Sequence, residues 1–126
     1  MRTVLSTNAP KPVGPYAQAV ISHNMVYCSG QLGIDPITGK LVTGGIEKEA
    51  EMVLNNLKNV LEAAGSSLNS VVKCTIYLTD MTKFSFVNEV YGRFFENNLP
   101  ARTTVGVSCL PFDAKVEIDA IAEIRS

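Results

Sequence analysis

Two charged residues stand where charge could act on a bound molecule. Arg102 follows Pro100 and Ala101 and opens the alternating run TTVGVS, at the mouth of a strand. Its planar guanidinium offers a fork of N–H donors matched to a carboxylate or phosphate. Glu117 stands in a second alternating run, VEIDAIAEI, where a carboxylate can hold a water or move a proton. Two quieter signals accompany them. Tyr16 follows a Gly-Pro turn in GPYAQA, and Gly30 closes a strand in SGQLG, where a missing side chain lets a ligand approach the backbone. Each has a plain structural reading as well: surface charge for Arg102 and Glu117, a packing tyrosine with a wet hydroxyl, a turn glycine. A buried charge without a partner is costly, so on a covered face the two charges would need partners or a ligand.

The elements that must hold these residues follow from hydrophobic period. Residues 17–22 and 25–29 read as strands joined by a polar turn at His23 and Asn24. The DPITGK stretch, 35–40, is a Pro/Gly turn. Residues 46–64 predict an amphipathic helix, with Ile46, Ala50, Val53, Leu54, Leu57, Leu61 and Ala64 on one face and Gly65 as its stop. Residues 71–79 alternate as a strand, with Val72, Cys74, Ile76 and Leu78 on one face. A second helix is predicted over 83–97, with Phe84, Val87, Tyr91 and Phe94 as its stripe, Thr82 as N-cap and Pro100 enforcing its end. Strands at 103–109 and 115–124 close the chain.

The order β-β-β-α-β-α-β-β predicts an α+β fold, a single mixed β-sheet with two helices on one face, as one domain over residues 1–126. On the other face the phase places Val71, Lys73, Thr75, Tyr77 and Thr79. Thr104, Gly106 and Ser108 of the next strand join them, with Glu117, Asp119, Ile121 and Glu123 of the last. That face is too mixed for a second core and reads as a wet subunit interface, on which Arg102 and Glu117 could meet.

Composition narrows the function classes. A net charge of −1 and a pI near 5.8 leave no basic footprint for nucleic acid. The stretch MRTVLSTNAPKPVG lacks the apolar core of a signal peptide, and no apolar run approaches the ~20 residues that span a bilayer. The expected location is cytoplasmic, with no membrane partner; a mitochondrial location is the alternative, although no transit peptide shows. Cys28, Cys74 and Cys109 are an odd number in apolar strand-like runs and read as buried, reduced thiols. With no Cys-x-x-Cys and a lone histidine, His23, in a turn, no metal is expected, and no motif calls for a cofactor.

Together GPYAQAV, SGQLGIDPITG, VNEVYGRFF, PARTTV and LPFDAKVEIDAIA run in order over nearly the whole chain. In that order they resemble the RidA branch of the Rid (reactive intermediate deaminase, YjgF-like) family. The resemblance implies a chorismate-mutase-like fold assembled as a homotrimer with sites between subunits. It also implies hydrolysis of 2-imino and 2-enamino acids, such as those released by serine and threonine dehydratases, to 2-oxo acids and ammonia. Residue by residue, it gives Arg102 the substrate carboxylate and Glu117 the attacking water. It sets Tyr16 in the pocket wall, Gly30 at a backbone contact and Asn88 nearby in the cleft. Residue 104 is cysteine in many members; here Thr104 leaves only backbone contacts and no thiol. Two rival readings stay open at this stage: an endoribonuclease or translation inhibitor, and a trimer that binds small carboxylates or acts as a chaperone without turnover.

Overall fold

The computed structural model describes residues 1–124. Six strands form one sheet: β1 (Arg2–Val4), β2 (Ala19–Ser22), β3 (Met25–Leu32), β4 (Val71–Leu78), β5 (Ala101–Gly106) and β6 (Val116–Glu123). Helix α1 (Ile46–Ala63) joins β3 to β4, and α2 (Phe84–Phe94) joins β4 to β5. The strands lie in the order β1-β2-β3-β6-β4-β5, antiparallel throughout except for the parallel β4–β5 pair that α2 crosses over. The α+β architecture expected from the pattern is the one observed.

Local chemistry explains most of the element ends. His23 and Asn24 both take positive φ (52° and 63°), the two-residue turn whose twist suits a hairpin, so β2 turns directly into β3. Helix α1 buries Ala50, Val53, Leu54, Leu57 and Leu61 of the predicted stripe completely, and Val60, which that stripe does not include, joins them. Gly65 ends it at φ 84°: the Gly65 N–H donates to the Glu62 carbonyl at 3.1 Å and the Ser66 N–H to the Leu61 carbonyl at 2.9 Å. No described helix is long and apolar enough to cross a membrane.

Several expectations need correction. A register shift between Val71 and Lys73 of β4 turns Val71 inward, 1% exposed, and leaves Val72 outside, the reverse of strict alternation. On β5 the phase is opposite to the expected one. Arg102 pairs with Cys74, Thr104 with Ile76 and Gly106 with Leu78, so all three share the helix-packed side. Thr103 and Val105 hold the open face instead, beside Thr75 and Tyr77. β5 ends at Gly106, leaving Ser108 and Cys109 beyond it, and Cys109 is exposed rather than buried. Cys28 and Cys74 are buried as expected, and burial pushes their thiols up to about 12 and about 11, which keeps them protonated and inert. Thr82 is not a cap. The Asp80 carboxylate accepts the Thr82 N–H at 3.0 Å and starts a short 3₁₀ turn that runs into α2. Helix α2 stops at Phe94, earlier than expected.

Candidate active site

Glu117 occupies the open face of β6, in a row that runs Leu32, Glu117, Tyr77 and Val105 across four strands. The register of β3 breaks between Cys28 and Gln31, and this irregularity brings Gly30 beneath the carboxylate. A Cβ on Gly30 would stand 2.7 Å from the Glu117 Cδ carbon, so only glycine leaves the carboxylate its place. Partial burial raises the Glu117 carboxyl above its ordinary value, and the negative charge of Asp119 two residues on adds to the rise. Asp119 in turn accepts the Tyr77 hydroxyl at 3.1 Å. Around Glu117 lies a hollow of about 400 Å³ whose lining includes Tyr16, Ser29, Gly30, Pro111 and Phe112.

The loop that brings Tyr16 there is anchored by Gln18, 1% exposed. Its amide donates to the carbonyls of Ser6 (3.1 Å) and Pro10 (2.9 Å), and its oxygen accepts the Ser6 N–H. Two further buried polar side chains tie α1 to the strands of the site. Asn56 donates to the carbonyls of Leu32 and Ile34 at 3.0 and 2.8 Å, fixing the end of β3. Glu49 accepts the N–H groups of Lys115 and Val116 at 2.6 and 3.2 Å, fixing the entry to β6 one residue before Glu117. The sequence reading passed over all three. A polar residue at a buried helical position, as at Asn56 and Glu49, is the signal that could have raised them.

Arg102 lies elsewhere. It occupies the edge strand β5 on the helix-packed side, in the row Ala19, Cys28, Ala120, Cys74, Arg102. Helix α2 covers it with a stripe one and two turns long: Phe84, Asn88 and Tyr91. The guanidinium carbon sits 5.6 Å from the Phe84 ring centroid and 5.0 Å from that of Tyr91. No carboxylate among the described residues pairs with it. A groove of about 370 Å³ opens here, lined by Asn88, Tyr91, Gly92, Leu99, Pro100 and Arg102. The Tyr91 hydroxyl is buried with the Cys74 thiol as its neighbour, and Thr104 Oγ1 is buried without a hydrogen-bond partner among the described residues.

The six candidate residues therefore fall into two groups. Tyr16, Gly30 and Glu117 share one hollow; Asn88 and Arg102 share another, with Thr104 two residues along the same strand face. Arg102 and Glu117 do not face each other within the chain, because the sheet lies between their side chains. What one group offers is a cation with a free planar fork, and what the other offers is a partly buried carboxylate with raised proton affinity.

The chain as a whole is similar to known proteins. The family model described as Endoribonuclease L-PSP matches residues 6–124. The chain is 47% identical over 121 residues to the Mus musculus protein named 2-iminobutanoate/2-iminopropanoate deaminase, covering 96% of this chain and 90% of that one. The crystal structure of RidA from the Antarctic bacterium Psychrobacter superposes with a TM-score of 0.94 at 45% identity, over 98% of this chain and 100% of that one. The structure of E. coli TdcF with bound serine gives a TM-score of 0.94 at 38% identity, over the whole of both chains.

Proposed function

The chain belongs to the Rid family, and on that ground we propose that it hydrolyses reactive 2-imino and 2-enamino acids to 2-oxo acids and ammonia. Substrates of the class are 2-iminobutanoate and 2-iminopropanoate, named for the mouse relative. The observation that carries the reading is the Arg102 guanidinium, held on two aromatic rings with no carboxylate among the described residues to neutralise it. Such a fork suits the carboxylate that every 2-imino acid carries. Because Arg102 and Glu117 sit on opposite sides of the sheet, the working site is assembled from two copies, as in a homotrimer with clefts between subunits. Arg102, Asn88 and the backbone near Thr104 come from one copy; Glu117, Tyr16 and Gly30 come from the next.

The chemistry asks for little else. The protonated imine carbon is electrophilic. Glu117 holds a water, takes one of its protons as the oxygen bonds to C2, and returns that proton to the nitrogen. Glu117 then takes the proton of the new hydroxyl as the tetrahedral adduct collapses to C=O, the C–N bond breaks and ammonia leaves, and it releases that proton to water. An enamine first gains a proton at C3 and then follows the same path. A carboxylate whose proton affinity is raised towards neutrality is better matched to both transfers. Orientation of water and imine supplies the remaining acceleration.

The test is a coupled assay in which a dehydratase generates 2-iminobutanoate or 2-aminoacrylate and 2-oxo acid is followed. Acceleration by the wild type and its loss in Arg102→Ala are expected. No acceleration by the wild type rejects the deaminase reading and leaves carboxylate binding without turnover, which the serine bound to TdcF favours as the second reading. An Arg102→Ala protein as fast as wild type rejects the site. The ribonuclease in the family description finds little footing in a chain of net charge −1 with a single turn histidine.

A further inference from the structure

The hollow around Glu117 contains one residue that the hydrolysis does not use and that is held there at a cost. Phe112 lies in the short turn Pro111–Asp113 between β5 and β6, with φ 60° and ψ 22°, and Asp113 beside it has φ 58°. The left-handed region is unfavourable for a bulky aromatic residue, and glycine or asparagine would occupy it more readily. Phe112 is also 58% exposed, so it contributes little to the core. Backbone strain that serves neither packing nor solubility concentrates at sites where a side chain has to be aimed.

Its neighbours indicate what it is aimed for. Val13, 71% exposed, and Tyr16, 50% exposed, line the same hollow, together with Leu32 and Ile34. The hollow therefore has two charged groups, the Glu117 carboxylate and Lys11, and an apolar wall formed by Val13, Tyr16, Leu32, Ile34 and Phe112. Under the deaminase reading on which this inference rests, Arg102 takes the substrate carboxylate and Glu117 faces C2. The one remaining part of a 2-imino acid is its side chain, and the apolar wall is what remains to receive it. We propose that Phe112 is a specificity-determining residue, which with Val13 contacts the substrate side chain and favours 2-imino acids with large branched or aromatic side chains.

The experiment compares the imines of leucine and alanine, each generated in situ by an amino-acid oxidase with catalase, in wild type, Phe112→Ala, Phe112→Gly and Ile37→Ala. Ile37 is 92% exposed in the turn after β3 and lies outside the hollow, so its variant is the control. For both Phe112 variants the kcat/KM ratio of leucine imine to alanine imine is expected to fall by about 10-fold or more, the usual worth of lost apolar contact in a pocket. Phe112→Gly is expected also to melt at a higher temperature, because glycine accepts the left-handed backbone. An unchanged ratio in both Phe112 variants overturns the proposal. So does a lower assembly mass in Phe112→Ala at micromolar concentration, which would make the residue an interface contact. If wild type accelerates neither imine, the deaminase reading falls and this inference falls with it; if it accelerates both and only the ratio fails to move, the inference alone is lost.

Discussion

Thr104 shows how a single atom can be legible as a cost. Its hydroxyl oxygen is buried on the helix-packed side of β5 with no hydrogen-bond partner among the described residues, two residues along the strand from Arg102, whose guanidinium we assign to substrate. An orphaned buried hydroxyl forfeits roughly 1–3 kcal/mol of desolvation. Thr104→Val keeps the shape and removes the polar atom, so the expected outcome in urea unfolding is a gain of about 1 kcal/mol. Thr104→Cys, which trades the hydroxyl for a thiol that hydrogen-bonds only weakly, should move the same way. Glu117 gives the second residue-scale prediction, through pH. Its folded proton affinity is raised above the ordinary value of 4.5, chiefly by burial. The folded state therefore holds this proton longer than the unfolded chain does. The group favours the fold below the unfolded value, and that contribution is lost as pH rises through the folded one. At neutral pH the ionised carboxylate weakens the fold. Glu117→Gln should melt higher than wild type at pH 7, with the difference closing by pH 4, while hydrolysis is abolished. Equal melting curves at both values would contradict the assigned burial.

Elements decide whether those residues arrive at all. Glu117 follows two backbone N–H groups, that of Lys115 just before β6 and that of Val116 at its start, which the Glu49 carboxylate of α1 accepts. Glu49→Ala strands two backbone donors at the strand entry, and the expected cost is about 2–4 kcal/mol by chemical denaturation. Glu49→Gln keeps an acceptor there and should recover more than half of it. Such ties were not readable from the sequence, where Glu49 looks like one more charge on a charged helix. The helices themselves were legible, since Val53, Leu54, Leu57, Val60 and Leu61 differ sharply from the polar residues between them. β5 was not. Its run ARTTVG alternates between residues of similar size and polarity, and an edge strand carries little apolar contrast to fix its phase. That weak contrast put Thr104 and Gly106 on the wrong face and let Arg102 and Glu117 share a surface that the sheet denies them. The irregularity at Val71 defeated alternation on β4 in the same way, because one extra residue moves every side chain before it to the other face.

At the scale of the whole molecule, the open face of the sheet joins these facts. It presents Tyr27, half exposed, with Ile121, Lys73 and Ala101 in one row, and Leu32, Glu117, Tyr77 and Val105 in another. Apolar and hydrogen-bonding groups alternate there, as suits a surface that meets another copy. If three copies close around this face, each cleft takes Arg102 from one subunit and Glu117 from its neighbour. Light scattering should then report three times the chain mass of 13.6 kDa. Complementation tests the site itself. Arg102→Ala and Glu117→Gln are each expected to be inactive alone. When the two are unfolded together and refolded at equal amounts, a cleft is intact only where the arginine donor is the Glu117→Gln variant and the glutamate donor is the Arg102→Ala variant. Random assembly into cyclic trimers makes that about a quarter of the clefts, so about a quarter of wild-type activity should return. A site contained within one chain would return none, because every chain in the mixture lacks one of the two groups. Recovery of activity from two dead proteins would place Arg102 and Glu117 on different subunits; continued inactivity, in a mixture shown to be trimeric, would refute the shared site.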